Sequence, residues 1–548
     1  MKKKKKTMEL KVSYKTKDFK ITFLGVTPVL KDETGYLKPQ DIVALSALMT
    51  FKGRSVKELY NEAVDKGQDM DKKIKTIHRK SSLRGHASMA TTPAISFNYE
   101  ASKFIDSIFT GMVFSSSFMA SGRRTDTTID EIVYPTTIDR NAKAKSAYKQ
   151  AAEANINFLN FAISQGIEKD EASKILQYGI YGTGTISYPI ESIVAMKKEI
   201  EMEGKWMPEE AKLFVAAIEK ELKKMGMELI YSARDLAARN TLPFPNIFKD
   251  PSKSNIAREL ISKKDLPKDL NKIIDFDATI TPGLEKKAGE IYQLATSIQK
   301  DKKTIKSKWK EILTARADLL RDYSTSLNLK MLSSVSWRVW GEKKRHRTVQ
   351  MTPDSVYFAI DRSRKIFDKL AKKIVNRKLT TIEIKKIDRV FTVPPALRPN
   401  KELLYGYLDN VANSINVYYQ LIEDFKISPS DALYVMPRGV RIDLYQNYDL
   451  FNLVSGYYPL RTCTTAETQL RAISRMEMIK IKQFLEKKGL KNIAKLIITK
   501  CWIPGFCLEE KNCPVINGLI KNYDEKFHEE IKSQLDEDYE ERLKSLGK

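Results

Sequence analysis

The chain has 548 residues, of which 42% are hydrophobic and 30% charged, and a formal net charge of +26. That length exceeds one ordinary domain, and that apolar content excludes a disordered chain. No run of about 18 apolar residues occurs, so no membrane span is expected.

The charge favours anionic partners, although lysine scattered along the whole chain also describes a plain solvated surface. Four cysteines in this length point to a reducing compartment without a disulfide framework. The opening lysines, Lys2 to Lys6, lack the apolar core of a secretory signal. A cytoplasmic protein is expected.

Residues 8–24 alternate weakly and predict strands (Leu10, Val12, Tyr14, then Phe19, Ile21, Phe23). Pro39 to Phe51 predicts a helix, and Val56 to Ile77 continues helical and charged. Gly85-His86-Ala87-Ser88 then precedes a strand-like Ala94 to Glu100. Such a turn exposes amides, a hydroxyl and an imidazole together, which suits an anion or a cofactor, and equally makes an ordinary turn. Residues 101–118 predict an apolar helix ending in Ser121-Gly122-Arg123. Hydroxyl, close backbone and guanidinium make that tripeptide a phosphate seat, or a loop with a surface arginine.

Lys143 to Ala172 predicts helix, and Ile175 to Ile190 predicts strand. Gly182-Thr183-Gly184 lacks the third glycine and the acid of a dinucleotide fingerprint. Pro208 to Lys223 predicts an amphipathic helix with Ala211, Phe214, Val215, Ile218 and Leu222 on one face. Asp250 to Pro282 is polar and reads as a linker or docking segment.

A long helical tract, Leu284 to Leu327, leads to the tryptophan-rich Trp337 to Trp340 and then to Arg345-His346-Arg347. Two guanidinium forks flanking an imidazole suit a nucleotide phosphate; the bland alternative is a basic face in water. Helices are expected at Ser355 to Val375 and Lys401 to Phe425. Strands are expected at Val390 to Val393 and Ala432 to Leu444, the latter interrupted at Pro437-Arg438-Gly439. Thr464 and Glu467 fit a capping box, which would set Arg461 ahead of a helix N-terminus. Cys501, Cys507 and Cys513 are spaced too widely for a usual zinc site, so no metal is expected. A charged amphipathic helix follows Tyr523.

Taken together these pieces resemble the flavin-dependent thymidylate synthases, twice in one chain. Residues 8–240 carry Gly85-His86-Ala87-Ser88, Phe97, Glu100 and Ser121-Gly122-Arg123, with Gly111-Met112-Val113 where the family has Arg-His-Arg. Residues 300–500 carry Arg345-His346-Arg347, Ser355 and the run from Leu460-Arg461 to Leu470-Arg471. After the triplet, Gln350, Thr352, Pro353 and Tyr357 depart from the family pattern. The retained pieces are complementary, and in the family the site is shared between subunits. The resemblance therefore implies a fused, diverged duplicate with one composite site.

The fold expected is α+β: two tandem halves, 1–245 and 284–500, each a mainly antiparallel sheet with flanking helices. A linker, 246–283, would join them, and 501–548 would form a C-terminal extension. By resemblance the chain would methylate dUMP to dTMP, with methylenetetrahydrofolate as carbon donor and NADPH as reductant through FAD. His86, Ser88, Arg345, His346 and Arg347 would hold the flavin. Ser121, Gly122, Arg123, Arg345 and Arg461 would bind the nucleotide. Arg461 would also stabilise charge on the uracil. Family members are homotetramers, so a homodimer of the fused chain is expected. The rivals are a flavoenzyme for another pyrimidine nucleotide and a non-catalytic nucleotide or nucleic-acid binder. The surviving arginines, and the want of an aromatic single-strand platform, weigh against nucleic acid.

Overall fold

The structure, a computed structural model, describes residues 9–11, 19–32, 35–120, 126–237, 245–262, 271–521 and 523–547. It divides into two compact units. The first comprises Met1–Ser254, Ser336–Arg347 and Pro353–Ile442, and the second Asn255–Val335, Thr348–Thr352 and Asp443–Lys548. The first unit thus draws on both sequence halves.

The strands in chain order are β1 (Glu9–Lys11), β2 (Lys20–Thr27), β3 (Leu30–Asp32), β4 (Gly35–Leu37), β5 (Ala94–Ser102), β6 (Ser116–Met119), β7 (Tyr181–Pro189), β8 (Asn271–Ala278), β9 (Leu327–Ser336), β10 (Gln350–Pro353) and β11 (Arg441–Asp449). One sheet has the order β1-β2-β5-β7-β6, antiparallel throughout. A second has the order β10-β11-β9-β8, with β8 and β9 antiparallel. β3 and β4 form a separate hairpin. The fold is α+β.

The two sheets repeat one plan. Setting β1 aside, each is built in the order first, second, fourth, third strand: β2-β5-β7-β6 and β8-β9-β11-β10. Even the irregularity recurs, since the register slips between Phe23 and Gly25 in β2 and between Ile273 and Asp275 in β8. Alternation explains which face is buried. In β5, Ile95, Phe97, Tyr99 and Ala101 point inward. The Phe97 and Tyr99 rings pack on Phe214, from the helix Glu209–Leu222. The stripe expected on that helix is buried in full.

Two helices of the first unit carry the duplication further. Ala142–Ser164 and Lys401–Glu423 each have 23 residues, and each is capped by an asparagine side chain accepting two backbone amides, Asn141 and Asn400. Buried Tyr148 donates to the Val133 carbonyl at 2.7 Å, and buried Tyr407 donates to the Thr392 carbonyl at 2.7 Å. A constant offset of 259 residues relates Asn141 to Asn400, Tyr148 to Tyr407 and Asn155 to Ser414. Asn155 and Ser414 also touch, Nδ2 to Oγ at 3.0 Å. Equivalent positions meeting each other is the mark of a twofold interface, here closed within one chain.

The second unit has its own apolar core, fed by the helices Pro282–Ile298, Lys302–Tyr323 and Thr468–Lys487 and by Phe527 and Ile531 of Glu525–Leu546. Buried Glu477 is satisfied there by the hydroxyls of Ser333 (2.6 Å) and Tyr458 (3.1 Å).

Several expectations need correction. Residues 101–118 are not one helix: Ser102 caps a seven-residue helix, Lys103–Phe109, and the chain then turns back to add β6 to the sheet. The polar stretch 250–282 holds the helix Ile256–Ser262 and the strand β8, whose half-exposed Ile273 and Phe276 suit a sheet edge. Residues 432–444 begin as a turn of 3-10 helix, Leu433–Val435, and extend only from Arg441; residues 390–393 make one bridge, Phe391 to Val440. The later helix starts at Thr468 with Glu467 as its cap, so Thr464 caps nothing.

Candidate functional site

Two short helices of the first unit organise the site. Lys103–Phe109 follows β5, and Trp337–Lys343 follows β9. Each has seven residues and a serine N-cap: Ser102 Oγ accepts from the Phe104 amide and Ser336 Oγ from the Val339 amide, both at 3.2 Å. They are the same element of the two repeats. Trp337 Nε1 donates to Ser107 Oγ at 2.8 Å, and its ring packs against Phe104, Tyr178 and Phe248.

The cations after Trp337 grip the C-terminal end of the Lys103 helix. Lys344 Nζ donates to the carbonyls of Ser107 and Asp106. Arg347 donates from Nε to the Met112 carbonyl (2.6 Å) and from Nη2 to the Thr110 carbonyl (3.2 Å). A helix C-terminus leaves carbonyls unmatched and carries partial negative charge, so cations settle there. Burial pushes the Lys344 pKa well below the usual lysine range.

Between these helices lies a cavity of about 90 Å³, lined by cationic Lys103, Arg338, Arg345 and Arg438, by the carboxylates of Asp106 and Glu342, and by Tyr178, Met119 and Ala120. Arg338 pairs with Glu342 at 3.2 Å, and Lys103 with Asp106 at 3.3 Å. Asp106 also accepts from the buried Tyr99 hydroxyl. Arg438 is 3% exposed; its Nε donates to the Gln177 carbonyl at 3.2 Å, and the guanidinium lies 4.9 Å from the Tyr178 ring centroid. Burial lowers the Arg438 pKa to about 10, which leaves it charged at neutral pH. Burial pushes the Tyr178 hydroxyl up to about 12, against the pull of Arg438 and Arg338. Arg345 Nη2 reaches only the Met119 sulfur, at 3.6 Å.

Two donors are left over. Arg345 Nε and Arg438 Nη2 are buried with no hydrogen-bond partner among the described residues. A buried unpaired donor is costly, and a charged one more so, until something accepts from it. Four basic side chains against two carboxylates give the cavity a surplus of positive charge, chemistry that suits a small anion.

Of the residues expected at the site, Arg345 lines this cavity. His346 and Arg347 follow it without lining the cavity, and Arg347 is engaged by backbone carbonyls. Ser121, Gly122 and Arg123 lie outside the described residues, immediately after cavity-lining Ala120. His86 and Ser88 are exposed and line a different, mainly apolar cavity of about 660 Å³, with Val43, Met49, Ile77 and Met89. Gly85 takes φ +95°, the left-handed turn that its motif requires. Arg461 ends the short helix Tyr458–Arg461 in the second unit, half-buried. Among the described residues no three histidines, cysteines or acids stand together as a metal site, and no helix is long and apolar enough to cross a membrane.

Sequence reading missed Lys103, Asp106, Arg338 and Arg438. A signal existed in Lys103 and Asp106, two opposite charges three apart in an otherwise apolar run. The interruption at Pro437-Arg438-Gly439 was visible without its purpose.

A flavin dinucleotide has an anionic pyrophosphate and a large flat ring. The cationic cavity suits a phosphate-sized group and has no room for the ring, since ligand pockets for whole cofactors run to roughly 300–1,000 Å³. The apolar cavity beside His86 and Ser88 has volume for a ring. The donor set therefore fits the group piecewise.

A family model described as thymidylate synthase complementing protein matches residues 325–485. No curated protein matches the chain. Among solved structures, a UMP/dUMP methylase PolB from Streptomyces cacaoi bound with 5-Br dUMP is similar at 12% identity, over 40% of this chain and 96% of that one, with a TM-score of 0.30. The flavin dependent thymidylate synthase ThyX from Helicobacter pylori, complexed with FAD and dUMP, is similar at 12% identity, over 41% and 99%, with a TM-score of 0.27.

Proposed function

We propose, from the match of residues 325–485 to the thymidylate synthase complementing proteins, that the chain is a flavin-dependent thymidylate synthase-like enzyme converting dUMP to dTMP. The observation that carries the reading is that Arg345, from the matched stretch, and Lys103, from the other half, line one cavity in which basic side chains outnumber acidic ones. The dUMP phosphate, or the pyrophosphate of the cofactor, would accept from Arg345 Nε and Arg438 Nη2, and Ser121, Gly122 and Arg123 would also bind the nucleotide.

FAD, when bound, supplies hydride chemistry, with methylenetetrahydrofolate as the carbon source and NADPH as the reductant. His86 and Ser88, which line the apolar cavity, would help to hold the flavin. Arg461 would face the uracil and stabilise the negative charge that develops on its carbonyls, a preorganised donor of the kind that contributes several kcal/mol when water is excluded. Lys344 and Arg347 act at one remove, fixing the Lys103 helix against the Trp337 helix. The expected assembly is a homodimer.

The test is direct. Purified protein incubated with FAD and freed of unbound cofactor should retain oxidised-flavin absorbance, and on addition of dUMP, methylenetetrahydrofolate and NADPH it should form dTMP. A colourless protein that forms none overturns the reading. The small cavity and the engaged Arg347 favour, as a second reading, a non-catalytic nucleotide-binding descendant, which would bind dUMP without turnover.

A further inference from the structure

Three of the four cations around the 90 Å³ cavity are arginines, which keep their proton at any working pH. Lys103 is the one that can exchange it. Its side chain is 9% exposed, and Nζ donates to the Ala120 carbonyl at 2.8 Å and pairs with Asp106 Oδ2 at 3.3 Å. The room for it is built in. A Cβ at Gly182, on β7, would come 2.9 Å from Lys103 Cδ, so that glycine is what lets the lysine lie flat across the strand.

The charges that face Lys103 come from every neighbouring element. Asp106 lies on its own helix and accepts from Tyr99 of β5. Arg338 and Glu342 come from the Trp337 helix, and Arg345 from just beyond it. Tyr178 precedes β7 and Arg438 precedes β11. Glu131, on the 3-10 turn Ile129–Glu131, also acts on it. Burial lowers the lysine pKa, Asp106 opposes that, and Arg438 and Arg338 add to it. The two carboxylates answer two of the four cations. The other two, Arg345 and Arg438, line the same cavity, and each keeps a buried unpaired donor, Arg345 Nε and Arg438 Nη2.

We propose that entry of a small dianion of the phosphomonoester or sulfate type into this cavity is coupled to uptake of a proton by Lys103. With the cavity empty, burial and then the neighbouring guanidinium groups loosen the hold of Lys103 on its proton, against the pull of Asp106. A dianion reverses that balance, so the lysine regains its proton and gives the anion a further donor. By linkage, affinity is greatest below the empty-cavity pKa of Lys103 and falls as pH rises through it. The lysine makes the site selective for a terminal, doubly charged group over a singly charged diester. The inference rests on the charge of the cavity and stands apart from the thymidylate reading.

Sulfate is the probe, because it does not itself titrate in this range. Binding to the full chain is measured calorimetrically at low ionic strength and mildly alkaline pH, in two buffers of different ionisation enthalpy. The expected result is a buffer-dependent heat equivalent to a net uptake of up to about one proton per sulfate. Lys103→Arg should keep binding and lose the buffer dependence, because its charge is permanent. Equal heats in both buffers for the unaltered chain, or undiminished uptake in Lys103→Arg, overturn the proposal. Should Lys103→Arg not fold, the pH titration of sulfate affinity in the unaltered chain decides: a flat profile overturns it. Proton-linked sulfate binding without dTMP formation would uphold this inference and remove the proposed reaction.

Discussion

Arg345 and Arg347, two residues apart in one motif, direct their guanidinium groups to different tasks. Arg345 faces a cavity with a buried unpaired Nε, while Arg347 spends its Nε and Nη2 on the carbonyls of Met112 and Thr110. One is available to a ligand; the other fastens two helices of the first unit.

Substitution should separate them. Arg347→Ala should lower unfolding free energy by about 1.5–3 kcal/mol, the range for hydrogen bonds to a charged group. Arg345→Ala should leave stability nearly unchanged, or raise it, and weaken sulfate or dUMP binding about tenfold or more. Urea unfolding together with calorimetry reads both, and the opposite ordering would refute the assignment.

Gly179 and Gly439 hold equivalent places in the two repeats, and each sits against a buried tyrosine hydroxyl. A Cβ at Gly179 would collide with the Tyr148 hydroxyl and the Tyr434 carbonyl; one at Gly439 would collide with the Phe391 ring and the Tyr407 hydroxyl. Overpacking of this kind costs about 1–3 kcal/mol. Either glycine to alanine should lower the thermal midpoint, by similar amounts if the repeats are matched. An unchanged midpoint in both would show that the neighbours yield freely.

His78 provides a pH dependence. Its Nε2 lies 2.8 Å from the Gln40 carbonyl, which can only accept, so that nitrogen carries the hydrogen; Nδ1 then accepts from Ser82 at 2.9 Å. Burial lowers the His78 pKa in the folded chain, against the pull of the Gln40 bond. The folded state therefore binds fewer protons than the unfolded one. The stabilisation is present above the ordinary histidine value, about 6.5, and is lost as pH falls through the lowered one. Unfolding free energy should drop with acid by up to about 1.4 kcal/mol per pH unit more than in His78→Gln. Identical slopes in the two proteins would count against it.

Arg461→Ala should keep flavin binding and lose turnover by at least about a hundredfold, as expected for a donor that acts in the transition state. Arg123→Ala should instead weaken dUMP. Steady-state kinetics alongside equilibrium binding distinguishes them, and an Arg123→Ala protein with unchanged dUMP affinity would sink the composite assignment.

What was legible in the sequence was periodic or punctuated. The stripe from Ala211 to Leu222 is buried as its spacing requires, and the helix opened at Pro39 runs to Lys52. The α+β class came with the family resemblance, which rested on short motifs and not on these elements. What escaped was non-local. Nothing near Ser116 announces that it pairs with Ser187 in β7, so a strand hid in an apparent helix. Half-exposed β8 hid in an apparent linker for the same reason. At the site, Arg345 was identified because three charged or titratable side chains adjoin in sequence. Lys103 and Arg438 are 335 residues apart in the numbering and meet only in space. Charge that is buried because its neighbours are charged leaves no local pattern to find.

The touching pair Asn155 and Ser414 has an evolutionary corollary. In a symmetric dimer of separate chains such a pair is encoded once, so every mutation strikes twice and must suit both sides. Within one gene each member drifts alone. That freedom is visible where Gly111 stands at the place of Arg345, so the two repeats need not carry the same chemistry.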